Sequence, residues 1–238
     1  MYFKPEKDVY LENLDSKILP LTNIQKIIAK RMSASKHNKP CFYLEAKADI
    51  TDMMYLRPTL KKQLGVKITT NSFYIVALAH AVREFPRMAG KVNGDSVTLR
   101  EDINIGFAVN APHGLVVPVI KHADRKNLAD IAREEKDLTE KARSNQLTLN
   151  DMAEETVALS NLGSYGVDSF IGIVPPPAST ILSVGNAFNT VVPQHNGFEA
   201  RKILSLTLAV DHRIIDYFYA AEFLCHVKKR LEMPQYLI

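Results

Sequence analysis

The run Leu204-Ser205-Leu206-Thr207-Leu208-Ala209-Val210 is β-rich and uncharged, and it stops abruptly at Asp211-His212-Arg213-Ile214-Ile215-Asp216, after which a helical pattern begins. The run reads as a strand delivering an acid, an imidazole, a guanidinium and a second acid to one point. Groups at the rigid end of a strand are held more accurately than groups on a loose loop. Imidazole accepts and returns a proton near neutral pH, so His212 is the first candidate for chemistry.

At 238 residues the chain is long enough for a sizeable core, and no Pro-rich, Gly/Ser-rich or one-sign linker divides it. A single domain over 21–238, preceded by an arm over 1–20, is the expectation. The formal charge of +4 is small for this length, and basic residues alternate with acidic ones, so no nucleic-acid footprint follows. No membrane span and no signal-peptide pattern is present in the sequence. Cys41 and Cys225 are too few for a disulfide framework and lie in no paired-cysteine metal motif, which makes a metal-free cytoplasmic protein the default.

Helical spacing begins after Thr22 or Asn23 with Ile24, Ile27, Ile28 and Met32 and gives way to the polar Ser33 to Lys39 segment. Val9 to Leu14 reads as a short strand, and Phe42 to Asp49 alternates as a strand with one wetter face. Helices are expected from Thr51 to Leu64, with Pro58 early or at a kink, from Thr70 to Phe85, and from Asn127 as cap through Ala142. His80, in the mostly apolar second of these, reads as structural. Strands are expected at Ile103 to Val109, Leu115 to Ile120, Thr156 to Leu159, Thr180 to Val184 and Lys202 to Val210, with a turn-rich segment from Ser160 to Gly166 and a final helix from Tyr217 to Glu232. Alternating elements of this kind predict a mixed α/β architecture with helices packed on sheet faces.

If a thiol lies near His212, the imidazole generates a thiolate that attacks a carbonyl. The tetrahedral oxygen then carries negative charge, and the Ser160 hydroxyl is a candidate donor to it. Each residue also has a plainer local reading. A serine in Ser160-Asn161-Leu162-Gly163 satisfies a turn, and a histidine after a strand bonds to backbone or to a neighbouring acid.

Several ordered segments then carry a resemblance. Asp211-His212-Arg213-Ile214-Ile215-Asp216 resembles the catalytic signature of dihydrolipoamide acyltransferases, the core enzymes of 2-oxo acid dehydrogenase complexes, and Ser160-Asn161-Leu162-Gly163 resembles their oxyanion-serine region. Ile28-Ala29-Lys30-Arg31-Met32, Pro40-Cys41-Phe42, Asn104 to Val109, Gly114 to Ile120 and Ala123 to Leu128 extend the match over roughly 20–238. The resemblance implies a chloramphenicol-acetyltransferase-like mixed-sheet sandwich with packed helices and reversible acyl transfer between dihydrolipoamide and coenzyme A. It implies His212 as general base and Ser160 as oxyanion donor. Asp216 falls at the family's downstream active-site acid, where it orients the histidine region or binds backbone or an arginine. The step needs neither metal nor nicotinamide. Coenzyme A is acyl donor or acceptor, and the lipoyl group comes on a separate carrier domain. The resemblance further implies trimers in which Ser160 of one chain faces His212 of another. The tail Leu231 to Ile238 either joins trimers, preferably into a cubic 24-mer, or folds onto its own subunit.

Three departures bear on activity. Tyr217 stands where the signature usually continues with glycine, Cys41 where many relatives have histidine, and Met88-Ala89-Gly90 where an asparagine is more usual. Tyr217 narrows the thiol channel, alters acyl selectivity or marks a catalytically weakened structural core, the alternative to an active transferase. Cys41 reads as a buried structural thiol. Pro175-Pro176-Pro177 makes a stiff connection.

Overall fold

The computed structural model describes residues 18–112, 114–194 and 197–238; the expected strand at Val9 to Leu14 lies outside them. Thr22 starts α1 (Asn23–Asn38) through a capping box, its hydroxyl accepting the Gln25 N–H while the Gln25 side chain accepts the Thr22 N–H. The helix runs on through the polar Ser33 to Asn38, beyond the expected end, because polar residues there bind outward: Ser35 Oγ donates to the Val174 carbonyl at 2.5 Å. β1 (Cys41–Asp49) leads into α2 (Thr51–Leu64), where Asp49 Oδ1 accepts both the N–H and the hydroxyl of Thr51. Pro58 lies mid-helix rather than early, at an exposed position where water can serve the carbonyl left without a donor.

α3 (Thr70–Glu84), begun by the Thr69 and Ser72 capping box, is buried over most of its surface and ends at Pro86. A hairpin of β2 (Lys91–Asn93) and β3 (Ser96–Thr98) turns at the expected Asn93-Gly94-Asp95. The next two expected strands each divide in two. β4 (Ile105–Phe107) and β7 (Val119–Ile120) pair in the main sheet, whereas β5 (Val109–Ala111) and β6 (Gly114–Val116) form a separate hairpin. Pro118, which has no N–H to donate, sits at the break, and its carbonyl accepts the Phe107 N–H at 2.9 Å. Asn127 caps α4 (Leu128–Arg143) as expected.

β8 (Val157–Asn161), β9 (Thr180–Val184), β10 (Phe188–Gln194), β11 (Gly197–Asp211) and α5 (Tyr217–Glu232) complete the main sheet and its last covering helix. The strand order is β1-β11-β9-β8-β4-β7, with β10 also paired to β11. β8 runs parallel to β4 and β9, and the other pairings in this sheet are antiparallel, so the sheet is mixed. β10 and the first part of β11 were not expected as strand; they pair with each other as a hairpin that leaves Phe188, Val191 and Phe198 exposed.

Side chains alternate across β11. Leu204, Leu206, Leu208 and Val210 join the large core with Phe73, Phe223 and Leu231 from the helices. Ala209 faces the other way, into a smaller cluster with Ala158, Ile181, Val174 and Ala178. Both faces of β11 are thus covered toward its end, and the turn after Asp211 leaves a well-packed strand. At the C-terminus Leu237 is buried while Tyr236 and Ile238 stay exposed, so the tail is only partly folded onto its own chain.

Candidate active site

Asp211, 1% exposed, ends β11 as a buried anion held by its near neighbour in sequence. Arg213 Nε donates to Oδ1 at 2.9 Å and Nη2 to Oδ2 at 2.5 Å, and the Arg213 N–H adds a third bond to Oδ1. This two-pronged pairing satisfies a carboxylate that burial alone would make costly. The Asp211 carbonyl accepts N–H groups from Ile214 and Ile215, whose side chains are buried. A tight turn results, with Asp211 fixed inward on one side, Ile214 and Ile215 on the other, and exposed His212 displayed between them.

The His212 N–H donates to the Pro40 carbonyl at 3.1 Å, tying the turn to the start of β1. Its Nδ1 lies 3.0 Å from the Ile215 carbonyl. A carbonyl only accepts, so Nδ1 carries the proton and Nε2 of the neutral ring keeps a free lone pair. Phe42 meets the imidazole edge-on, with centroids 5.1 Å apart, and Tyr217 lies 5.0 Å away.

Asp216 is the N-cap of α5, accepting the Tyr219 N–H at 2.9 Å. That bond, first, and the nearby Arg87 guanidinium hold its carboxyl below the usual carboxylate range. Its other partner is Arg87 at 3.5 Å, and Arg87 Nη2 also donates to the Ile214 carbonyl at 2.9 Å, within the turn that presents His212. Nothing in the sequence marks Arg87, whose partners Ile214 and Asp216 lie more than a hundred residues away. Arg31 donates to the Pro176 carbonyl at 2.6 Å, and Arg213 organises the end of β11.

Ser160 lies on β8 rather than in the turn expected there; the turn begins after Asn161. Asn161 Oδ1 accepts the Gly163 N–H, and its Nδ2 donates to Asn71 on α3 at 2.7 Å, pinning the strand end. Glycine is required at 163, where a Cβ would stand 2.6 Å from the Gly185 carbonyl oxygen.

Strand register measures the separation of the two candidates. Ser160 is level with Ser183, and Ser183 with Thr207, so Ser160 lies two strands from β11 and five residues short of His212 along it. At roughly 3.3 Å per residue and 4.8 Å per strand, the two Cα atoms are about 19 Å apart. Side chains do not bridge that gap, so one chain does not bring Ser160 and His212 together.

Cys41 is half-buried opposite Asp211, and burial followed by that anion raises its thiol pKa, the reverse of an activated nucleophile. His80 is half-buried on α3, with its pKa lowered chiefly by burial. Among the described residues no cluster of His, Cys, Asp or Glu fits a metal ion, and no helix is long and apolar enough to cross a membrane.

Residues 13–238 match the family of 2-oxoacid dehydrogenase acyltransferase catalytic domains, and the chain belongs to that family. Among curated relatives it is 35% identical over 226 residues to the dihydrolipoyllysine-residue acetyltransferase component of the pyruvate dehydrogenase complex of Rickettsia bellii, covering 93% of this chain and 54% of that protein. It is 36% identical to the lipoamide acyltransferase component of the branched-chain alpha-keto acid dehydrogenase complex of Bacillus subtilis, covering 91% and 52%. The chain therefore spans about half the length of these relatives. Among solved structures, the dihydrolipoamide acetyltransferase of Azotobacter vinelandii, studied for the roles of a serine, a histidine and an asparagine in its mechanism, matches with a TM-score of 0.89 at 31% identity over 94% of each chain. The cubic core of a pyruvate dehydrogenase multienzyme complex matches at 0.88 and 31%, covering 100% of this chain and 99% of that one. Chloramphenicol acetyltransferase, at 14% identity and a TM-score of 0.56 over 85% and 94% of the two chains, shares the fold.

Proposed function

We propose that this chain transfers acyl groups between a dihydrolipoyl thiol and coenzyme A by thioester exchange, at sites completed between neighbouring chains. The observation that carries the proposal is the His212 turn, in which the Ile215 carbonyl holds the Nδ1 proton and leaves Nε2 basic at the end of a packed strand. Nε2 takes the proton of the incoming thiol, and the sulfur attacks the thioester carbonyl. Ser160 Oγ–H of the adjoining chain donates to the oxygen as it becomes anionic. When the carbon–oxygen double bond re-forms, the departing sulfur recovers the proton from Nε2. Asp216 acts at one remove, capping α5 and holding Arg87 against the Ile214 carbonyl.

The separation of about 19 Å within one chain supports a site shared between chains. Likeness to the cubic core of a pyruvate dehydrogenase complex supports a cubic assembly, which we read as trimers associating into a 24-mer. The lipoyl group then arrives on a carrier domain, with coenzyme A as the other substrate. Two free cysteines, Cys41 and Cys225, accord with a cytoplasmic setting. A non-catalytic structural core is the competing reading, favoured by the bulk of Tyr217 beside the imidazole.

Exchange of label between acyl-coenzyme A and dihydrolipoamide, measured on the assembled protein with several acyl chains, tests the proposal. Turnover well above the uncatalysed rate is the expected result. A closed assembly with no exchange would leave the structural reading standing.

A further inference from the structure

Tyr217 occupies the first turn of α5, directly after its cap Asp216. Its ring centroid lies 4.1 Å from that of Phe42, tilted by 40°, and 5.0 Å from that of His212, tilted by 56°. Phe42 in turn meets the imidazole edge-on at 84°. The three rings form one cluster with a definite inside and outside: Phe42, 8% exposed, is the backing, and Tyr217, 53% exposed, stands at the surface beside the exposed imidazole. Among the described residues the Tyr217 hydroxyl has no hydrogen-bond partner, so the residue contributes its ring to this arrangement.

A thiol or thioester served by the imidazole must bring its reacting atom to within about 3–3.5 Å of Nε2. Ring centroids 5.0 Å apart leave no room for a further group between Tyr217 and His212. One side of the imidazole is thereby walled off. Both sulfur-bearing arms keep the same structure from one exchange to the next, whichever acyl group moves. A wall that permits turnover therefore discriminates on the one part of the reactants that varies, the acyl substituent next to the reacting carbonyl.

We infer that Tyr217 is a specificity-determining residue that, backed by Phe42, restricts the site to short unbranched acyl groups. The inference rests on the thiol-transfer reading above and adds to it the class of acyl group. Discrimination by steric exclusion at this scale corresponds to roughly 10- to 200-fold in kcat/KM for each carbon at stake.

The test compares kcat/KM for acetyl-coenzyme A and isobutyryl-coenzyme A, with dihydrolipoamide as acceptor, in wild-type protein, Tyr217→Gly and Tyr217→Phe. Circular dichroism and assembly size report whether each variant has folded, and Tyr217→Ala replaces the glycine variant if that one has not. Wild type is expected to prefer acetyl. Tyr217→Gly should raise the isobutyryl-to-acetyl ratio by about 10-fold or more, while Tyr217→Phe keeps the wild-type ratio within about twofold because only the ring matters. An unchanged ratio in the folded glycine or alanine variant, or a wild type that handles both thioesters equally, overturns the inference and leaves the transfer reading intact. Wild-type protein that exchanges neither thioester, nor any other acyl chain offered, overturns the transfer reading itself and the inference with it.

Discussion

Replacing Glu155 with glutamine isolates a single buried charge. Glu155 is 4% exposed, just before β8, and a Cβ at Gly106 would stand 2.5 Å from its Oε2, so the carboxyl lies against the β4 backbone. Among the described residues Oε2 has no hydrogen-bond partner. Burial drives its pKa from an ordinary 4.5 up to about 7, even though Arg31, Lys39 and Arg100 pull it down. Those cations are committed elsewhere: Arg31, Lys39 and Arg100 donate to the carbonyls of Pro176, Ala178 and Pro177, and Arg100 also to the Glu155 carbonyl. Between pH 4.5 and 7 the folded chain holds a proton that the unfolded chain has released, so wild-type stability falls as pH rises through that window and levels off above it. At about 1.4 kcal/mol for each tenfold change in proton affinity, the full cost is roughly 3 kcal/mol. Urea unfolding of wild type and Glu155→Gln from pH 4.5 to 8.5 is the assay. The variant should gain roughly 3 kcal/mol on wild type at pH 8 and less than about 1 kcal/mol at pH 5. Parallel curves, or a variant less stable at pH 8 than at pH 5 relative to wild type, would refute a buried, unpaired carboxyl.

His212→Ala should lower exchange by about 10²- to 10⁴-fold, read as kcat in the coenzyme A assay. Ser160→Ala should lower kcat by about 10²- to 10³-fold with KM little changed, because its hydroxyl serves the tetrahedral state. Rates equal to wild type would remove either role. Co-assembly of the two inactive variants in equal amounts should restore about a quarter of wild-type activity, since an intact site needs the serine of one variant next to the histidine of the other; no recovery from verified mixed assemblies would place both groups of a site in one chain. Arg213→Met strands the Asp211 carboxylate and should cost about 3 kcal/mol in urea unfolding, an effect absent if water reaches that anion freely.

The sequence was most legible where pattern and chemistry are local. The stripe of α4 with its Asn127 cap, the bounds of α5, and the strand ending at a displayed imidazole all follow from residues close together in the chain. Legibility failed where a distant partner decides. β10 and the outer part of β11 leave Phe188, Val191 and Phe198 exposed, so they show no alternation onto a core, and exist because they pair with each other. Ser160 looked like part of a turn because Asn161 and Gly163 come directly after it, yet its level is set by Ser183. Glu155, beside Glu154, carries no local mark of the burial that the fold imposes on it. Arg87 supports the turn carrying His212 only because α5 returns to the end of α3.

On the proposal of a site shared between chains, the offset between Ser160 and His212 along the sheet makes enzyme concentration a variable of the reaction. Under that proposal each protomer carries two unlike half-sites, and a closed assembly, whether an isologous pair or a head-to-tail ring, completes them all. Specific activity then becomes a gauge of assembly, constant while the subunits stay joined and vanishing on dilution into separate ones.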